Sequence, residues 1–184
     1  MTNIHLSRWI KLTLTIIALF IIETTLFPWL IPEQYRFFIY PKLVLISIIY
    51  VSIFTNRHYG LMFGLGFGLL QDVHYYGHMI GPNAFSLAFV GYISGLLIRS
   101  SSPHFIIIML IQSLSLFLNE VISYFLYRLF NITVMDFVWM FMRSMLPSVM
   151  ISMFLALLIY IPSRSILEKM DFKRGSEETK ARNI

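Results

Sequence analysis

The sequence predicts an all-α integral membrane protein, a compact bundle of six transmembrane helices. Of its 184 residues, 58% are hydrophobic and only 12% are charged, and the mean hydropathy is +0.75. These values are far more apolar than those of a soluble domain. The apolar residues fall into six runs with short connections, and no polar stretch is long enough to fold separately. This pattern argues against a soluble enzyme held by a membrane anchor.

The predicted spans cover about residues 9–31, 35–55, 59–76, 82–98, 104–130 and 138–161. The first run is too long for the apolar part of a signal peptide and lacks a small-residue cleavage pattern, so we interpret it as an uncleaved span. The second is the shortest, because its core from Pro41 to Thr55 reaches only about 22 Å at about 1.5 Å per residue. Extending it back to Tyr35 closes the gap. Pro147 should kink the sixth span.

The basic residues are distributed unevenly along the chain. The formal net charge is +5, and six of the 14 Lys and Arg residues lie in the tail, residues 163–184. With six spans, the inner side carries most of the cations, and the positive-inside bias therefore predicts that both termini are cytoplasmic. We expect the tail, part amphipathic helix and part disordered, to meet anionic lipid rather than nucleic acid. The chain has no cysteine, which excludes disulfides and thiol nucleophiles.

Two rows of glycine at four-residue spacing mark the third and fourth spans. They are Gly60, Gly64 and Gly68 on the third span, and Gly91 and Gly95 on the fourth. Such rows let helix backbones approach closely in lipid. They fit two interpretations, the packing of these two spans on each other and a groove that receives a partner helix.

Apart from cations assigned to the two membrane sides, four ionisable residues are expected to lie inside the hydrocarbon: Glu23, Asp72, Glu120 and Arg143. An unpaired charge there costs about 2.5 to 3.5 kcal/mol or more. Counting about 1.5 Å per residue places all four in the outer half of the membrane. We therefore expect Arg143 to pair with one of the acids in a buried polar network. Three acids against one base leave two carboxyl groups that are protonated, that face water or that meet a partner's cation.

Three further polar side chains are expected to complete this network: Gln71, His74 and Asn119. The network fits a packing role, a partner or ligand site, or ion passage. Asp72, His74 and His78 have loosely suitable spacing for a metal, but the aromatic residues around them fit a membrane interface better. No nucleophile elbow, phosphate loop or dinucleotide motif is present, so we expect no enzyme, metal or cofactor.

The stretch Gly60-Leu-Met-Phe-Gly-Leu-Gly-Phe-Gly-Leu-Leu-Gln-Asp72, followed by Gly91-Tyr-Ile-Ser-Gly95, resembles the MreD family of rod-shape-determining membrane proteins. The size, the six spans and the basic ends are similar too. The resemblance implies a non-enzymatic component of the bacterial cell-elongation machinery, in the inner membrane. It implies association with MreC, a single-span protein, and through it with the glycosyltransferase RodA and its transpeptidase partner, which make peptidoglycan. Actin-like MreB filaments would be linked indirectly.

The family is similar in fold to the substrate-binding S components of vitamin transporters, and an S component is the main alternative. Such proteins carry an A-x-x-x-A pattern on the first helix. Here Ala18 stands alone on that helix, and the pair Ala84 and Ala88 lies on the fourth span. A third possibility is an intramembrane hydrolase or transferase that uses Asp72 and His74.

Overall fold

The protein, as a computed structural model, is described over residues 2–30, 40–74, 80–98 and 104–160, and the regular structure in these ranges is helical. The helices are α1 (Thr2–Ile21), α2 (Phe27–Leu30), α3 (Leu43–Phe54), α4 (Arg57–His74), α5 (Pro82–Leu97), α6 (Phe105–Leu129) and α7 (Phe137–Met140). A π-helical turn, Ile22–Leu26, joins α1 to α2, and a second one, Phe141–Met145, continues α7. Helical structure then runs on to Tyr160, and we call Phe137–Tyr160 the C-terminal helix. The all-α prediction is confirmed.

The helices differ in length. Three stretches are long and apolar enough to cross a membrane: Trp9–Leu26, Phe105–Leu129 and Phe137–Tyr160. By contrast, α3, α4 and α5 have 12, 18 and 16 residues. The start of the predicted second span, residues 35–39, lies outside the described residues, as does the basic tail.

Helix α3 forms the centre of the bundle. All 12 of its residues are buried, and it contacts α1, α4, α5 and α6. Hydrogen bonds join its segment to the C-terminal helix: the Tyr50 hydroxyl donates to the carbonyl of Ala156 (2.7 Å), and the backbone N–H groups of Lys42 and Tyr40 donate to Ser152 Oγ (3.2 Å) and Ser148 Oγ (3.1 Å). Because lipid is as apolar as these side chains, close packing and such bonds stabilise the bundle more than the hydrophobic effect does.

Both π-helical turns lie just before a proline. The first ends two residues before Pro28 and the second two residues before Pro147. Proline donates no N–H to the helix and clashes with the carbonyl four residues earlier, and a π-turn widens the backbone at that place. The kink predicted at Pro147 is therefore accommodated as a π-turn. Glu23 lies in the first turn and Arg143 in the second.

Helices α3 and α5 begin at the same end of the bundle, since α3 is followed by antiparallel α4 and α4 by antiparallel α5. We call this end the capped end, because carboxylates from neighbouring helices meet both helix starts there. The candidate site lies at this end, and the glycine-lined contact of α4 with α5 runs from it towards the opposite end.

Candidate functional site

Asp72 of α4 caps the start of α5. Its Oδ2 accepts the backbone N–H groups of Gly81 (2.9 Å) and Ala84 (3.1 Å), and its Oδ1 accepts that of Asn83 (3.1 Å). Helix α5 has Pro82 in its first turn and no cap from its own N-cap residue, Gly81, whose φ is +129°. The free N–H groups and the positive end of the helix dipole both favour a carboxylate at this place. Asp72 is 3% exposed, so these bonds replace water.

Glu23 caps the start of α3 in the same way. Its Oε2 accepts the backbone N–H of Val44 (2.8 Å), and its Oε1 accepts the side-chain N–H of Gln71 (3.0 Å). The N-cap residue of α3, Lys42, provides no side-chain cap of its own. The first π-turn of the N-terminal helix therefore ties α1 to both α3 and α4.

Glu120 of α6 pairs with Lys42, which is not among the residues expected in the polar network. Lys42 Nζ lies 3.0 Å from Glu120 Oε1 and donates to Asn119 Oδ1 at 2.6 Å. Asn119 Nδ2 in turn donates to Ser86 Oγ of α5 (2.6 Å). The Lys42 side chain is 21% exposed and that of Glu120 is 14% exposed. Lys42 was missed because it was counted among the cations on the outer side of the membrane; its position inside the predicted second span, residues 35–55, was the available signal.

Two of the three acids thus accept hydrogen bonds from helix starts, and the third forms an ion pair with a lysine. The pairing of an acid with Arg143 that depth counting predicted is not found: the described bonds of the acids run to Val44, to the start of α5 and to Lys42. Arg143 is exposed, and its guanidinium lies 5.6 Å from the centre of the Trp139 ring. Residue count along a helix gives depth but not the face, and the π-turn before Pro147 changes the face further.

His74 has a ring contact with the N-terminal helix. It is exposed at the end of α4, with its ring 5.7 Å from that of Phe20. His78 lies outside the described residues, and within the described ranges no three His, Cys, Asp or Glu residues are grouped to hold a metal ion.

Three glycines of α4, Gly60, Gly64 and Gly68, face α5. A Cβ atom on Gly60 would lie 2.7 Å from the carbonyl oxygen of Gly91, and one on Gly64 would lie 2.6 Å from that of Leu87. A Cβ on Gly68 would collide with the backbone of Ala84. Real Cβ atoms do not approach so closely, so each position requires glycine for the two backbones to touch. The face offered as a possible groove for a partner is occupied by α5 of the same chain.

Ser52 of α3 completes this contact and was not singled out in the sequence. Its hydroxyl donates to the carbonyl of Gly91 (2.5 Å), and a Cβ on Gly95 would collide with its Oγ. Gly66, which alternates with the packed glycines on α4, has open space where a Cβ would be. The alternation separates the packed face of α4 from its exposed face.

Comparisons with known proteins identify the family of the chain from its sequence. A family model described as rod shape-determining protein MreD matches residues 6–170. The chain belongs to the MreD family. A relative in Bacillus subtilis (strain 168), named rod shape-determining protein MreD, is 22% identical over 138 residues, which cover 75% of this chain and 78% of the relative. No solved structure matches the chain.

Membership of the MreD family supports a role in rod-shape determination and makes the chain a membrane protein. It agrees with the resemblance drawn from residues 60–95. The similarity in fold to transporter S components is not shown.

Proposed function

We propose that this chain is a non-enzymatic scaffold of the cell-elongation machinery, which binds an MreC-like single-span protein and thereby supports peptidoglycan synthesis. The observation that carries the proposal is the family match over residues 6–170. The chain contacts RodA and its transpeptidase partner directly or through the MreC-like protein. It is linked to MreB-like filaments indirectly. The protein lies in the inner membrane with both termini in the cytoplasm, so that the capped end faces outward and the basic tail meets anionic lipid.

The hydrogen bonds of the buried polar side chains support a role as a scaffold. Asp72 and Glu23 hold helix starts, and Glu120 holds Lys42, so their bonding capacity serves the bundle itself. The five glycines act in the same way, as contacts between helices of one chain. Partner binding then falls to exposed helix faces rather than to the α4–α5 contact.

We assign the partner helix to the exposed face of α1. Over an apolar stretch of 18 residues, 17% of the α1 residues are buried within the chain, against 22% on the C-terminal helix and 33% on α6. Small side chains on this face, Thr15, Ala18 and Thr25, are exposed. Small exposed residues let a second helix approach closely, which is the main source of helix association in lipid.

The test is co-purification of the full chain with the MreC-like protein encoded in the same genome. Ala18→Phe should reduce the recovered partner strongly, because the ring separates the two helices. Leu114→Phe, at an exposed position of α6, should leave recovery unchanged. Thermal unfolding in detergent shows whether each variant is folded. Full recovery with folded Ala18→Phe would contradict docking on α1, and no recovery with the unaltered chain would contradict binding altogether.

A further inference from the structure

The loop that joins α6 to the C-terminal helix exposes apolar side chains. We call its residues, 130–136, the outer loop. It lies at the capped end, because α6 meets Lys42, the N-cap residue of α3, through Glu120 and then runs on beyond it. Val134 is 95% exposed, the largest value among the large hydrophobic side chains of the described residues, so it adds little to the packing of the bundle. Two neighbours in the loop are apolar and exposed as well: Ile132 and Met135.

Hydrogen bonds hold the outer loop in one conformation. The carbonyl of Tyr127 accepts the backbone N–H groups of Ile132 (2.9 Å) and Thr133 (3.3 Å). The Tyr124 hydroxyl donates to the carbonyl of Met135 (3.0 Å). The loop therefore cannot turn its apolar side chains into the bundle without breaking these bonds. A surface that is fixed in advance loses little conformational entropy when a partner binds to it.

Charged residues bound the outer loop on both sides. Arg128 precedes it and donates to the Tyr124 hydroxyl at 2.6 Å, and Asp136 ends it; both charged residues are exposed. Because a charged group in hydrocarbon costs several kcal/mol, both side chains lie at the level of headgroups or water. The loop between them is held at that level too, so its apolar side chains lie outside the hydrocarbon that would bury them.

The composition of this surface favours a protein over lipid as its occupant. The Asp136 carboxylate is repelled by anionic lipid headgroups, and headgroups offer no apolar contact to Val134. Protein interfaces, by contrast, combine an apolar centre with a polar rim, and Met and Arg are enriched in them. In the outer loop Val134 and Met135 provide the centre, while Arg128 and Asp136 provide the rim.

We infer that the outer loop binds the part of the MreC-like partner that lies outside the membrane, with Val134 and Met135 in an apolar pocket of that part. The inference rests on the proposed function, which places the capped end outward and the partner's single span on α1. A chain that leaves the membrane beside α1 on the outer side emerges at the level of the outer loop. The loop thus adds a second contact, made in water, to the helix contact made in lipid.

Co-purification of the full chain with the MreC-like protein tests the contact. Val134→Asp should lower the recovered partner by about tenfold or more, because the pocket would have to take up an unpaired charge. Ile80→Asp is the matched control and should leave recovery unchanged. Ile80 is 68% exposed in the turn before α5, at the same end of the bundle, and the substitution adds the same charge. Thermal unfolding in detergent shows whether each variant is folded.

The outcomes separate this inference from the proposed function. Full recovery with folded Val134→Asp overturns the inference, and so does an equal loss with both variants, while recovery with the unaltered chain still supports the proposed function. No recovery with the unaltered chain contradicts both.

Labelling of single cysteines tests the occupant, and the natural chain has no cysteine that would interfere. Val134→Cys and Ile80→Cys chains are placed in nanodiscs of phosphatidylethanolamine and phosphatidylglycerol and treated with a water-soluble maleimide. Without the partner both should react at similar rates. With the MreC-like protein at about ten times its Kd, the rate for Val134→Cys should fall by about tenfold, since only the unbound fraction reacts. The rate for Ile80→Cys should stay the same.

Two results of the labelling would contradict the inference. A slow reaction of Val134→Cys without the partner means that lipid covers the outer loop. Equal rates for Val134→Cys with and without the partner mean that the partner leaves the loop open.

Discussion

Asp72 and Ala84 lie on different helices, yet the Asp72 carboxylate accepts the backbone N–H of Ala84 at 3.1 Å and so completes the first turn of α5. The cap comes from the preceding helix, since the N-cap residue of α5, Gly81, makes no side-chain cap bond. The bond therefore joins two helices while it satisfies the end of one of them. Its loss should loosen the α4–α5 pair as a whole.

Replacing Asp72 by Asn should lower the free energy of unfolding by about 1 to 3 kcal/mol. Asn keeps the shape but presents one oxygen acceptor in place of two, while three backbone donors still need partners. Thermal or denaturant unfolding in detergent measures the change. Asp136→Asn is the control, because Asp136 begins the C-terminal helix without a side-chain cap bond and is exposed. Equal effects at both sites would contradict the cap.

The glycine contact makes a position-by-position prediction. Gly64→Ala should destabilise the protein by about 1 to 3 kcal/mol, because its Cβ would lie 2.6 Å from a backbone oxygen of α5 that cannot move alone. Gly66→Ala should be neutral or stabilising by up to about 1 kcal/mol, since its site is open and Ala is the better helix former. The melting temperatures of the two variants decide the matter. A larger loss at Gly66 than at Gly64 would contradict the packing.

Lys42 and Glu120 should be energetically coupled. Removing the ammonium in Lys42→Met leaves the largely buried Glu120 without its cation, and we expect a loss of about 3 to 5 kcal/mol. Adding Glu120→Leu should recover part of that loss, because no charge is then left unpaired. A double-mutant cycle on unfolding free energies measures the coupling. Additive losses would show that the two residues act independently.

A substitution at Gln112 should raise, rather than lower, the free energy of unfolding. It is fully buried in α6, and neither atom of its amide has a hydrogen-bond partner among the described residues. Gln112→Leu should therefore stabilise the protein by about 1 to 3 kcal/mol, since it removes an unsatisfied polar group at similar volume. Asn119→Leu, which breaks bonds to Lys42 and Ser86, should destabilise it. A lower melting temperature for Gln112→Leu would contradict the prediction.

The sequence predicts the helices and the closeness of α4 and α5 well, because hydropathy and glycine spacing report directly on lipid exposure and backbone contact. It predicts that Glu23, Asp72 and Glu120 need partners but not which ones. A sequence identifies charged and polar side chains that could pair with an acid, but it does not show which backbone N–H groups will be free. Two of the three acids bind such N–H groups at helix starts. Helix starts inside a bundle depend on where each chain segment bends, which is set by packing rather than by local pattern.

Pro147 shows a similar limit of prediction from sequence. Proline predicts a break in regular hydrogen bonding, but a kink and a π-turn satisfy that requirement equally. The π-turn adds a residue to one turn and so changes the faces on which the following residues lie, which counting at a constant rise per residue does not capture. Local sequence determines that a distortion occurs, and the packing of the whole bundle determines which one.

The order of the capping residues along the chain has a consequence for biosynthesis. Glu23 is made 21 residues before Val44, and Asp72 is made 12 residues before Ala84, so each carboxylate has left the ribosome before the helix that it serves. Lys42 must wait for Asn119, 77 residues later. During membrane insertion helices α1 to α5 can settle with the starts of α3 and α5 already capped, while the lysine ammonium stays unpaired until α6 is inserted.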